Sequence, residues 1–181
     1  MSTIYIGLIS GTSMDGIDAV LVDLADDHRQ LVAAGTFQYP AALRSALDEL
    51  RADPDAFPAA RLARLDVEVG QAFAEATDSL LAEAGTAQKD IRAIGSHGQT
   101  VLHRPDDPFP HTLQIGDPTR IANATGVDVV ADFRRADLTA GGQGAPLAPL
   151  IHQALLASRE ENRLVVNLGG IANVTLLPAE G

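Results

Sequence analysis

Gly7-Leu-Ile-Ser-Gly-Thr-Ser-Met-Asp-Gly-Ile-Asp18 is the stretch on which the fold turns. It lies between two apolar runs, Thr3–Ile9 and Ile17–Leu24, each rich in Ile, Val and Leu and short enough to be a strand. Glycines, hydroxyl residues and Asp15 fill the gap, and Asp18 follows just inside the second run. Such a loop can bring backbone N–H groups and hydroxyls close to a phosphate. Its carboxylates can hold a magnesium ion, directly or through water. A plain hairpin turn containing Gly and Asp has the same composition, so the loop alone leaves both readings open.

Working outward, Asp26-Asp27-His28 reads as a turn and Leu31–Tyr39 as a third strand. Three strands with short connections suggest an antiparallel meander. Pro40 suits the start of a helix, on which Leu43, Leu47 and Leu50 share one face and which Asp53-Pro54 ends. A long helix is expected from Pro58 to Ala84, with Leu62, Leu65, Val69, Phe73, Leu80 and Leu81 as its apolar positions. The charged residues between them read as a solvated face, and Gly85-Thr86 ends the helix. That helix reads as packing without chemistry.

Polar and small residues cluster at two further expected strand ends. Ile91–Gly95 is a short buried strand running into Ser96-His97-Gly98-Gln99-Thr100, read as a polar loop. Val127–Ala131 runs into Asp132-Phe133-Arg134-Arg135-Ala136-Asp137. In open α/β sheets, ligands sit beyond the carboxyl ends of strands. Ser96 and His97 are adjacent in the chain and would face opposite sides of a strand, so they are not a hydrolase dyad, and no Gly-x-Ser-x-Gly elbow is present. His97, His103 and His111 match no usual zinc spacing. His97 and Gln99 are instead hydrogen-bonding groups for a polar ligand. Arg134 or Arg135 can grip a carboxylate or phosphate with its planar fork, or belong to a surface salt-bridge network.

Between these clusters, Arg104–Pro110 reads as loop, Thr112–Ile115 as a short strand, and Asp117 or Thr119 as the cap of a helix ending near Gly126. Gly141-Gly-Gln-Gly-Ala-Pro146 is a small-residue turn before a helix from Pro146 to about Ser158. It lacks a Walker lysine and a full dinucleotide fingerprint. Arg163–Gly170 and Ile171–Leu177 then repeat the strand, Gly-rich turn, strand design of the N-terminus. Two strands cannot form a domain alone. The expected organisation is therefore one lobe over residues 1–160 and the opening hairpin of a second over 161–181.

The 181 residues, 46% of them apolar, suffice for a buried core, and the formal net charge is -11. An acidic surface argues against non-specific nucleic-acid binding and against docking on anionic membranes. With no cysteine, disulfides, thiolate metal sites and cysteine nucleophiles are excluded. No basic signal region opens the chain, and no apolar run is long enough to span a bilayer. A soluble cytoplasmic protein is the expectation.

Five blocks taken together resemble the anhydro-N-acetylmuramic acid kinases. They are Gly7–Asp18, Ile94-Gly-Ser-His-Gly-Gln-Thr100, Asp128-Val-Val-Ala-Asp-Phe-Arg134, Gly141–Pro146 and Asn167-Leu-Gly-Gly-Ile-Ala-Asn-Val174, in the same order over nearly the whole chain. The resemblance implies an α/β fold: a ribonuclease-H-like lobe of the acetate and sugar kinase, Hsp70 and actin superfamily, with a mixed sheet flanked by helices. Two such duplicated lobes hold ATP between them. Family members are roughly twice this length, which fits a chain that stops as its second lobe begins.

The implied reaction opens the 1,6-anhydro bridge of 1,6-anhydro-N-acetylmuramic acid with water. It also transfers the γ-phosphoryl group of ATP to O6, giving N-acetylmuramic acid 6-phosphate for peptidoglycan recycling. Gly11, Thr12, Ser13, Met14, Asp15, Gly16, Ile17 and Asp18 would hold the nucleotide phosphates. Asp15 and Asp18 are candidates for organising Mg2+, with Asp15 preferred as a direct or water-mediated ligand. Ser96, His97, Gln99, Asp132 and Arg134 would line the sugar side, the Arg suiting a lactyl carboxylate. The expected partners are ATP and a small amino sugar, with a homodimer as one expected assembly.

Two departures from the family's pattern stand out. The superfamily often has Asp two residues before the Gly-Thr of its first phosphate loop, where this chain has Ile9. The family's general base is an Asp in a Gly-rich motif expected beyond Gly181. The chain alone is therefore expected to turn over little or no substrate. A phosphatase or ATPase of the same superfamily, and a non-catalytic interaction lobe, are the competing readings.

Overall fold

The computed structural model describes residues 2–25, 28–168 and 172–179. The turns expected at Asp26-Asp27 and at Gly169-Gly170-Ile171 lie outside the described residues. The expected meander is present. β1 (Ile4–Ser10), β2 (Ile17–Ala25) and β3 (His28–Phe37) pair antiparallel in sequence order. Alternation buries Ile6 and Leu8 on β1 and Ile17, Ala19 and Leu21 on β2.

Two helices cover this face. α1 (Ala41–Ala52) starts after Pro40 and buries Leu43, Leu47 and Leu50. α2 (Ala59–Ala84) packs across the sheet, with Leu65, Val69, Phe73 and Leu80 in the core. It ends where Gly85 turns left-handed, a conformation that costs a glycine little.

The chain then forms β4, which runs from Ile91 to Arg104. The expected short strand with a polar loop after it is thus one strand of 14 residues. Two sets of partners keep it extended. Ile91–Gln99 pairs parallel with β1, while on its other edge β4 pairs with β5 (His111–Ile115) from Gln99 to Arg104. Gly98, at φ +74°, provides the bend between the two regimes. A Cβ there would lie 2.5 Å from the Ile115 carbonyl oxygen, so the close approach of β5 requires glycine.

α3 (Pro118–Thr125) follows, capped by the Asp117 carboxylate, which accepts from the Thr119 N–H, and closed by left-handed Gly126. α2 anchors this turn: Asp66 accepts from the Gly116 N–H at 2.7 Å through its carboxylate and from the Asp117 N–H at 3.1 Å through its carbonyl. β6 (Val129–Ala131) pairs parallel with β4 over Ile94–Ser96. The result is a mixed sheet in the order β3-β2-β1-β4-β5, with β6 also on β4.

The Asp132–Asp137 cluster follows the end of β6. It enters α4 (Phe133–Thr139), a helix of two turns. The helix after the glycine turn is shorter than expected, α5 (Ala148–Leu156). β7 (Arg163–Leu168) and β8 (Ala172–Leu177) pair antiparallel as a separate two-stranded sheet. Leu177 of β8 is buried, and Thr175 meets His152 of α5 at 3.0 Å. The other face of the hairpin exposes Leu164, Val166, Leu168, Val174 and Leu176.

Candidate active site

The register of the parallel strands brings the three polar clusters to one edge of the sheet. Ser10 of β1 lies opposite Gln99 of β4, and Ser96 of β4 lies opposite Ala131 of β6. The loop after Ser10, the segment Ser96–Gln99 and the residue after Ala131 therefore stand side by side. This is the carboxyl end of β1 and β6, where parallel strands leave room for a ligand.

The first cluster is the loop from Gly11 to Gly16. Its fold is held from inside. The Met14 N–H donates to the Gly11 carbonyl at 3.0 Å, and the buried Ser10 hydroxyl donates to the Gly16 carbonyl at 2.8 Å. Met14 adopts φ 54°, an uncommon conformation for a side chain of its size, and its side chain is buried. Gly16 sits against β3, where a Cβ would come 2.9 Å from Thr36 Cγ2.

These anchors leave Gly11, Thr12, Ser13 and Asp15 exposed at the rim. The Ser13 hydroxyl donates to Asp15 at 2.7 Å, and that bond, with one from the backbone, holds the Asp15 carboxyl below its usual range. Ile17 and Asp18 belong to β2: Ile17 is core, and Asp18 accepts from Thr36 at 2.6 Å on the exposed face.

The second cluster is inside β4. Ser96 and Gln99 are buried, at 2% and 0% exposure. Gln99 Nε2 donates to the Gly11 and Thr100 carbonyls, each at 3.2 Å. Neither Gln99 Oε1 nor Ser96 Oγ has a hydrogen-bond partner among the described residues. Buried polar atoms without partners are uncommon, because each forfeits its bond to water. His97 is half-buried with both ring nitrogens engaged: Nδ1 lies 3.0 Å from the Gly98 carbonyl, and Arg134 Nε donates to Nε2 at 2.8 Å. Burial lowers the His97 pKa, outweighing the upward pull of the bond to the Gly98 carbonyl, and the Arg134 charge adds to the lowering.

The third cluster opens α4. Asp132 has φ 61° and caps no backbone N–H with its side chain. It lies 3.5 Å from Arg135, a half-exposed pair of small energetic weight. Arg134 turns the other way, to His97 and to the Gly144 carbonyl at 2.6 Å.

Ser96, His97, Asp132 and Arg135 share a cavity of about 280 Å³ with Gln114 and the Gly116–Pro118 turn. Of the two arginines the sequence offered, Arg135 lines it and Arg134 does not; Gln114 and Asp66, which sequence reasoning did not select, line it as well. No periodicity marks such residues; strand register brings them in. A larger cleft of about 520 Å³ between α1 and α2 has an apolar floor of Leu43, Ala46, Leu65 and Ala72 and contains none of these clusters. Among the described residues no group of three His, Asp or Glu side chains is placed to hold a metal ion, and no helix is long and apolar enough to cross a membrane.

The family model for anhydro-N-acetylmuramic acid kinase matches residues 3–181. The chain belongs to the anhydro-N-acetylmuramic acid kinase family. Its mixed sheet flanked by helices is that of the sugar kinases. Curated relatives of that name include one from Xanthomonas campestris pv. campestris (strain 8004), 54% identical over 183 residues, 99% of this chain and 48% of the relative. The Shewanella putrefaciens relative is 55% identical over 174 residues, 96% of this chain and 47% of its own length. A third, from Xylella fastidiosa, is 52% identical over 98% of this chain and 48% of its own. The chain thus spans about half the length of the curated relatives it matches.

Proposed function

We propose that these residues form the phosphate-gripping and sugar-side half of an ATP-dependent kinase. The enzyme opens the anhydro bridge of 1,6-anhydro-N-acetylmuramic acid and phosphorylates O6 in the cytoplasm, for peptidoglycan recycling. The supporting observation is the shared sheet edge, where an anchored loop with an ionised Asp15 stands next to a cavity holding the orphan hydroxyl of Ser96.

In this reaction a water oxygen bonds to C1 as the C1–O6 bond breaks. O6 then takes the γ-phosphoryl group and ADP leaves. The water's proton would pass to a base, an Asp expected in a Gly-rich motif beyond Gly181. Phosphoryl transfer needs alignment and charge neutralisation more than covalent help.

ATP would lie against Gly11, Thr12 and Ser13, whose small, exposed side chains leave the loop open to phosphate oxygens. Mg2+ would neutralise developing charge there. Asp15 alone supplies too few ligands for the octahedral shell of Mg2+, so it fits a cation held mainly by phosphate oxygens and water. Ser96 and Asp132 offer a hydroxyl and a carboxylate to sugar hydroxyls. Arg135 or the remaining N–H groups of Arg134 suit the lactyl carboxylate. The exposed apolar face of β7 and β8 fits the opening hairpin of a second lobe over residues 161–181, following a first lobe over 1–160.

Product analysis tests this reading. ATP, Mg2+ and the anhydro sugar, incubated with a full-length protein carrying these residues, should give ADP and a sugar 6-phosphate in equal amounts. ATP consumption that does not depend on the sugar would favour an ATPase of the same superfamily.

A further inference from the structure

The turn Gly141-Gly-Gln-Gly144 folds back onto the helix it leaves. The Gly142 N–H donates to the Asp137 carbonyl at 2.9 Å, and the Gly144 N–H to Asp137 Oδ2 at 2.7 Å. The carboxylate occupies the space beside Gly142: a Cβ there would lie 2.3 Å from Oδ2. On its other side the Gly144 peptide offers its carbonyl to Arg134 Nη1 at 2.6 Å, and the same guanidinium donates through Nε to His97 Nε2 at 2.8 Å. A guanidinium only donates, so His97 Nε2 carries the lone pair and the ring proton sits on Nδ1, 3.0 Å from the Gly98 carbonyl.

We propose that Asp137 is a positioning residue of the sugar side. By fixing the Gly142–Gly144 turn it sets Arg134, and through Arg134 it holds His97 neutral, protonated on Nδ1, as a wall of the cavity with neither nitrogen open to a ligand. The functional meaning rests on reading that cavity as the sugar side. Hydrogen bonding to the sugar then falls to Ser96, Asp132 and Arg135, while the His97 ring supplies shape.

The charged groups around His97 agree with this assignment. Arg134 of α4 opposes a second ring proton, while the bond to the Gly98 carbonyl favours one. Asp132 lies beside Arg135, and Asp66 of α2 is committed to the Gly116 N–H. Burial acts in the same direction as Arg134. Asp137 needs only an acceptor oxygen for the task, and Asn supplies one.

Long-range 1H–15N spectra of the histidine side chains test the proposal in the chain itself. The wild type should show the Nδ1–H tautomer for His97 and a titration midpoint below that of a free imidazole. Asp137→Ala should release the ring to mixed tautomers and raise its midpoint by half a pH unit or more. Gly142→Ala should do the same from the opposite side, by displacing the carboxylate. Asp137→Asn should keep the wild-type spectrum. If Asp137→Ala and Gly142→Ala both retain the amide pattern of β4 and leave the His97 tautomer and midpoint unchanged, the proposal is overturned. If Asp137→Ala does not fold, Gly142→Ala decides alone. N-acetylmuramic acid added to the wild type is a separate arm: no shift of the Ser96 and Asp132 amides would count against the sugar reading and leave the Asp137 result standing.

Discussion

Gln99 Nε2 donates to the Gly11 carbonyl at 3.2 Å, tying the middle of β4 to the first residue of the β1–β2 loop across 88 positions of sequence. The donor is fully buried, so water does not compete for it. Through this bond β4 helps to set the loop from Gly11 to Gly16. Gln99→Ala should cost about 2 kcal/mol of stability, from a lost buried bond and a small cavity. Denaturant unfolding measures it. In a full-length kinase the same change should raise KM for ATP more than KM for the sugar.

Asp15 differs from Gln99 because nothing in the core depends on it. Its carboxylate is exposed and bonded only within its own loop. Asp15→Ala should leave stability within about 0.5 kcal/mol of wild type. Phosphoryl transfer by a full-length protein should fall by roughly 100-fold or more, the usual effect of removing a group that acts on developing charge. An unchanged rate would remove Asp15 from the site.

Two left-handed glycines separate conformational cost from crowding. Gly98 has the Ile115 carbonyl where its Cβ would be, whereas Gly85 has nothing within 4 Å. Gly85→Ala should cost about 1 kcal/mol, the backbone penalty alone. Gly98→Ala should cost about 3 kcal/mol or more, because β4 and β5 must separate. Paired thermal melts check the difference.

Much of the first half was legible in sequence, and the reason is periodicity. β1 and β2 alternate, and Leu43, Leu47 and Leu50 fall on one helical face, so local pattern and final burial agree. β4 was cut short because Ser96-His-Gly-Gln99 shows no alternation. Pairing on both edges, not its own pattern, keeps that segment extended. α4 leaves little trace in the sequence because it is seven residues long and Asp132 enters it left-handed without a side-chain cap. The three polar clusters were found, but contacts such as Arg134 with His97, 37 residues apart, follow from strand order alone.

The stability profile should bend at both ends of the pH scale. Burial pushes the Tyr39 phenol up to about 12, against the pull of the nearby Ser10 hydroxyl; that hydroxyl donates to the Gly16 carbonyl, and the phenol has no well-formed hydrogen bond among the described residues. Between pH 10 and about 12 the unfolded chain loses that proton while the folded one keeps it, so stability should fall as pH rises through this window. Tyr39→Phe should flatten the decline and cost little at neutral pH, since it removes an unpaired group. His97 acts at the other end. Its folded pKa is lowered, so its contribution is present above the ordinary histidine range and is lost as pH falls below it. Unfolding midpoints across pH, compared with His97→Phe, check the acid limb.

If the loop from Gly11 and the cavity at Ser96 serve one reaction, as proposed, water opens the sugar and ATP phosphorylates it. Incubating a full-length protein carrying these residues with ATP, Mg2+ and 1,6-anhydro-N-acetylmuramic acid in 18O-labelled water tests it by mass spectrometry. The expected product is a sugar 6-phosphate with one 18O at C1 and none in the phosphoryl group. Label appearing in released inorganic phosphate, with the anhydro sugar intact, would contradict it.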